Sequence, residues 1–238
     1  MNLILIGAQG SGKGTQAQHL AQHLRLKPCA SGELLRTAMK QGTPLGQAAK
    51  PYYDRGDLVP DALIIDMLLE AISAIDDERD ANGIILDGFP RNVAQARALD
   101  ERLAARQRAI NWVVYLDVPR QMLLDRLEGR YVCRANEHVW NIKTNPPRTP
   151  GVCDLDGSEL YQRADDTSEK IEHRLGIFFS ETIRLTDYYG LQGKLLRVDG
   201  TGAIAEVSRA ILVGIDSGSA ERPVYQRMGW SDADNIAK

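Results

Sequence analysis

The stretch GAQGSGKGT, residues 7–15, constrains this chain more than any other. It follows the apolar run LILI and opens into QAQHLAQHL. A hydrophobic run, a glycine-rich bend and a helical pattern in that order predict strand, loop and helix. The helix carries Ala17, Leu20, Ala21 and Leu24 on one face. The bend has the form G-x-x-x-x-G-K. Its glycines let successive backbone N–H groups turn inward around a phosphate, the helix adds its positive end, and Lys13 supplies a point charge. A dinucleotide-binding turn is disfavoured, because G-x-G-x-x-G is absent and a lysine closes the loop.

Four further segments extend the pattern. IILD at 84–87, WVVYLDV at 112–118 and KLLRVDG at 194–200 read as buried strands, and a short strand is expected near Leu26–Ala30 with Cys29 as a small buried residue. Helical patterns lie between them, so the predicted fold class is α/β: a three-layer P-loop architecture, with a parallel sheet and helices on both faces. Asp87 closes its strand as a carboxylate suited to orienting Mg²⁺. His19 and His23 lie off the apolar face of the first helix and read as a solvated pair.

Two segments break the alternation. Residues 31–60 read as short helices with turn signals (QGTPLG, DRGDLVP), and 131–164 as a β-rich insertion with many Pro, Asn and Gly. Asp166 and Glu169 have capping-box spacing for a helix expected to run to Tyr189 and stop at Gly190. Arg126 and Arg130, four apart, are expected on one helical face that Leu123, Leu124 and Leu127 anchor. From about Ile215 periodicity is lost. That stretch reads as a mobile tail with Val224, Tyr225 and Trp230 as docking points.

Hydrophobic residues make up 43% of the 238, enough for a packed core, and the net charge of −3 argues against a nucleic-acid binder. No apolar run is long enough to cross a membrane, and the five-residue apolar run at the start is too short for a signal peptide. Three cysteines, 29, 133 and 153, suit a reducing compartment, and the cytoplasm is the expected location.

Taken in order, GAQGSGKGTQ, SGELLR, LDGFPRN with Gln95 and Ala96, DRLEGR and YQRADD resemble the adenylate kinase family in its long-lid form, over residues 1 to about 212. The resemblance implies a Mg²⁺-dependent enzyme that moves the ATP γ-phosphoryl group to AMP and gives two ADP, acting as a monomer on small nucleotides. Kinases for UMP, CMP or GMP, and a regulatory nucleotide-binding module without turnover, are the competing readings. The implied layout is core (1–30), monophosphate-binding flap (31–60), core (61–126), lid (127–165), core (166–214) and tail (215–238).

The resemblance also assigns roles. Lys13 and the backbone of Gly10, Gly12, Gly14 and Thr15 would hold the donor phosphates, with Arg126 and Arg130 flanking them and Gly200 of RVDGT behind the ATP adenine. On the acceptor side, Ser31, Leu58 and Val59 would lie at the AMP adenine and Gln95 would read its edge. Arg36, and Arg91 with its neighbour Gly88, would grip the AMP phosphate. Arg163 and Arg174 would close over the transferring group, with the lid hinged at Asp165–Asp166. Six arginines and no Ser-His-Asp or Cys-His pattern suit a reaction whose acceptor is already anionic, so that catalysis is positioning and charge neutralisation.

Three positions depart from the family pattern: Gln9 stands for the usual Pro, Ser31 for Thr and Glu33 for Asp. In the lid, many long-lid relatives carry four zinc ligands. Here Cys133, Cys153 and Asp156 remain, Asn136 replaces the second ligand, and His138 lies two residues beyond it. A closed structural Zn²⁺ site from Cys133, His138, Cys153 and Asp156 is expected. A metal-free, hydrogen-bonded lid and a Cys133–Cys153 disulfide remain alternatives.

Overall fold

A computed structural model describes residues 1–76, 82–136, 138–163 and 166–218. In chain order the elements are β1 (Asn2–Ile6), α1 (Lys13–Leu24), β2 (Lys27–Ala30), α2 (Ser31–Gln41), α3 (Pro44–Arg55), α4 (Asp61–Asp76), β3 (Ile84–Asp87), α5 (Val93–Ala104) and β4 (Trp112–Asp117). There follow α6 (Arg120–Glu128), β5 (Arg130–Cys133), β6 (Val139–Asn141), β7 (Leu160–Tyr161), α7 (Ser168–Ser180), α8 (Leu185–Leu191), β8 (Leu195–Asp199) and α9 (Ile204–Asp216).

Five strands form the main sheet in the order β2-β3-β1-β4-β8, and every neighbouring pair is parallel. Alternation within each strand divides the core in two. Ile4, Ile6, Ile84, Leu86, Val113 and Tyr115 point to one face, where α4, α5, α7 and α8 cover them through Leu68, Leu99, Leu175 and Tyr189. Leu3, Leu5, Ile85, Val114 and Leu116 point to the other, against Ala17 and Leu20 of α1 and Val207 and Ile211 of α9. Strands buried on both faces read as unbroken apolar runs, which is why they stand out in the sequence.

The crevice above the carboxyl ends of these strands is bordered by two excursions. One is the α2–α3 pair. Its helices pack so closely that a Cβ on Gly46 would lie 2.2 Å from the Ala38 carbonyl oxygen. The other is a three-stranded antiparallel sheet, β6-β5-β7, built on a small core of Cys133, Cys153 and Leu160 with Tyr131 and Trp140 against it.

Several local expectations are corrected. Asp166 does not cap α7. Thr167 occupies the cap position without a side-chain bond, because the Asp166 carboxylate is committed to Arg130. The helix also stops at Ser180. A 3₁₀ turn over Thr182–Arg184 leads into α8, which passes through Gly190, and the left-handed turn falls at Gly193. Arg126 and Arg130 do not share a helix, since α6 ends at Glu128 and Arg130 opens β5. Order continues through Asp216 in α9, and Val224, Tyr225, Trp230 and Asp165 lie outside the described residues.

Candidate active site

The loop after β1 meets the amino end of α1 as an anion receptor. Gly10 and Gly12 have φ of 85° and 95°, and a side chain at Gly10 would also meet Leu127 at 2.9 Å, so both positions require glycine. No side chain caps α1 and its first turn carries no acid, so its leading N–H groups and dipole face the loop unopposed. Lys13 Nζ lies over the same loop, donating to the Gly7 carbonyl at 2.7 Å and the Ala8 carbonyl at 3.0 Å. Burial lowers its pKa to about 8. Asp87 opposes that shift, and Arg91 and Arg130 add to it.

The loop opens on one cleft of about 1390 Å³. Single-ligand pockets run to roughly 1,000 Å³, so the space suits more than one small ligand. Its walls bring together Gly10, Gly12, Lys13, Gly14 and Thr15 with Ser31, Arg36, Leu58, Val59, Asp87, Gly88, Arg91 and Gln95. Arg126, Arg130, Arg163, Arg174 and Gly200 complete them.

Four of the six arginines have defined partners in the element that carries them or in a neighbour. Arg91 Nε donates to the Gly88 carbonyl at 2.8 Å, and burial, reinforced by Arg174, lowers its pKa. Arg126 Nη2 donates to the carbonyls of Gly200 at 3.0 Å and Thr201 at 3.4 Å, which fixes the β8 turn against α6. Arg130 forms a two-point ion pair with Asp166, its Nε 2.8 Å from Oδ2. The carboxylate is fully buried. Arg174 donates to Gln9 and lies 5.8 Å from the centre of the Tyr53 ring. Ser31 Oγ donates to the Gly88 carbonyl at 2.8 Å, joining the start of α2 to the turn after β3.

The sequence reading missed three residues here. Asp61, at the start of α4, accepts from Gln95 Nε2 at 2.7 Å and from Asn92, while Gln95 Oε1 accepts from the Arg91 N–H at 2.7 Å. A side-chain amide has two N–H donors and two acceptor lone pairs, so these bonds fix the orientation of Gln95 and leave it able to meet a base edge. Gln9 and Tyr53 are the other two. Only Gln9 had a signal, its departure from proline.

On the lid side of the cleft, which His138 also lines, sits a compact donor set. One ligand atom from each of Cys133, His138, Cys153 and Asp156 lies within 4.8 Å of the others. His138 Nδ1 is 3.5 Å from each sulfur and 3.1 Å from Asp156 Oδ2, which is 3.2 Å from Cys133 Sγ. The edges of a tetrahedron with zinc bond lengths are roughly 3.3–3.8 Å, so the set fits that ion. Asn136 contributes no ligand. Its side chain donates to Asp156 at 3.0 Å, and the N–H groups of Asn136 and His138 and the Trp140 indole point at the sulfurs. Such outer bonds stabilise thiolates. Hydrogen bonds from Ser158 and Asn136 hold Asp156 far below the usual carboxylate range. All three cysteines are free thiols, which removes the Cys133–Cys153 disulfide.

A parallel sheet with this loop, an aspartate closing the neighbouring strand and an arginine-lined cleft define a P-loop phosphotransferase. Comparison with known proteins narrows the class. A family model described as adenylate kinase matches residues 5–194. An adenylate kinase of Carboxydothermus hydrogenoformans is 44% identical over 89% of this chain and 97% of its own length. Those of Syntrophobacter fumaroxidans and Bacillus subtilis are 46% and 43% identical over 86% and 87% of this chain, each across 94% of its own length. The chain belongs to the adenylate kinase family. No helix among the described residues is long and apolar enough to cross a membrane.

Proposed function

We propose that this chain catalyses the reversible, Mg²⁺-dependent transfer of the ATP γ-phosphoryl group to AMP, giving two ADP. The observation that carries the reading is the single cleft whose walls hold both the phosphate-binding loop and six arginines from different elements. The loop and Lys13 grip the donor's β- and γ-phosphates, and Arg126 and Arg130 flank them. Arg36 and Arg91 hold the AMP phosphate in line, with its adenine against Ser31, Leu58, Val59 and Gln95. Arg163 and Arg174 neutralise charge on the migrating group.

When bound, Mg²⁺ supplies further neutralisation of the phosphate oxygens, and Asp87 is the carboxylate placed to orient it. The AMP phosphate oxygen is already a competent nucleophile, so no side chain has to remove a proton. Water is the competing acceptor. Segment 31–60 and segment 127–165 are the parts that close to exclude it.

In the lid, Cys133, His138, Cys153 and Asp156 hold a structural Zn²⁺. The physical reason is size: a core of three buried residues needs a cross-link. The buried free thiols suit a reducing cytoplasm, and a monomer is the expected working form.

Steady-state ADP formation from MgATP with AMP, UMP, CMP and GMP tests the assignment. AMP is the expected preferred acceptor. A clear preference for a pyrimidine monophosphate, or no turnover with any of them, would refute it.

A further inference from the structure

Gln9 lies within the phosphate-binding loop, between the two residues whose carbonyls face Lys13 and Gly10. Its side chain leaves the loop and ends between two groups of opposite charge. Its carbonyl oxygen accepts from Arg174 Nη1 at 3.2 Å, and its amide nitrogen donates to Asp166 Oδ1 at 3.1 Å. The polarity is matched, oxygen to the cation and N–H to the anion, and turning the amide over would set donor against donor and acceptor against acceptor.

Both partners lead onward. Asp166 is the buried half of the ion pair with Arg130, so it clamps the first strand of the lid to the segment where the lid rejoins α7. Arg174 reaches from α7 toward the flap, where its guanidinium lies near the Tyr53 ring and its stem passes 3.4 Å from the position a Cβ would take at Gly56. One neutral side chain therefore joins the donor-phosphate loop, the base of the lid and an arginine at the edge of the flap.

We propose that Gln9 is a positioning residue for phosphoryl transfer, holding Arg174 at the transferring group and tying the Arg130–Asp166 clamp to the donor-phosphate loop. The proposal rests on the role assigned to Arg174 above. Proline, usual here in the family, has neither a side-chain donor nor an acceptor and cannot make the link.

A double-mutant cycle on the full chain tests it, with kcat corrected for the folded fraction. Gln9→Met keeps length and removes both bonds. It is expected to lower kcat about tenfold, the size of one lost hydrogen bond to a charged group, while KM for ATP and AMP changes less than about twofold. In an Arg174→Met background the same change is expected to cost less than about threefold, because the arginine it positions is gone. Gln9→Glu keeps the acceptor for Arg174 but sets a carboxylate against Asp166, and kcat should fall at least about fivefold. A merely structural role would lower Tm without this coupling.

Equal, additive losses in both backgrounds would overturn the proposal. So would an unchanged kcat in Gln9→Met, or wild-type turnover in Gln9→Glu. If Arg174→Met by itself leaves kcat intact, it is the role of Arg174 that fails, which separates the two readings.

Discussion

Lys13 makes the donor site sensitive to pH in a range where free lysine is not. Burial brings its pKa to about 8, against 10.5 for an exposed lysine. Bound phosphates would favour the ammonium and raise that value, so the protonated form binds ATP and the neutral form loses the contact. The sign follows by linkage: affinity is complete below about pH 8 and declines as pH rises through it. With a pKa of about 8 in the empty site, the apparent Kd grows by about twofold at pH 8 and about tenfold at pH 9. MgATP itself is fully ionised throughout this interval. Equilibrium titration with MgATP between pH 7 and 9.5 measures the curve. Lys13→Arg is the control, because a guanidinium keeps its charge and should give a flat profile whatever its absolute affinity. A wild-type Kd constant to within twofold up to pH 9.5, or the same rise in the arginine variant, would refute the assignment of this pKa to the phosphate-binding lysine.

Two further outcomes follow from the excursions around the cleft. Protein purified without chelator should contain about one equivalent of zinc, and Cys153→Ser should lose it and lower Tm by about 5–10 °C. Elemental analysis giving less than a tenth of an equivalent would remove the metal. Gly46→Ala places a methyl group 2.2 Å from the Ala38 carbonyl oxygen, so urea unfolding should show a loss of about 1–3 kcal/mol. KM for AMP should rise with little change in KM for ATP.

Sequence and structure agree wherever a signal is local. Leu3 to Ile6 alternate between the two halves of the core, and an apolar run of that kind needs no partner to be read as a buried strand. Gly10, Gly12 and Lys13 announce the loop because the phosphate geometry allows few other residues there. The mistakes concern contacts between distant residues. The four-residue spacing carries α6 on to Arg130, but Asn141 of the lid donates to the Arg126 carbonyl and closes the helix end, and a side chain at Gly129 would strike Asn141. Asp166 has the composition of a cap, yet its carboxylate is taken by Arg130, 36 residues earlier. Spacing along a chain carries none of these pairings.

The proposed reaction requires one cleft to seat a triphosphate and a monophosphate end to end among fixed cations. Binding of an inhibitor that joins two adenosines through five phosphates tests it most directly. One equivalent should bind per chain, in competition with both ATP and AMP. Competition against ATP alone, or two equivalents bound independently, would contradict it.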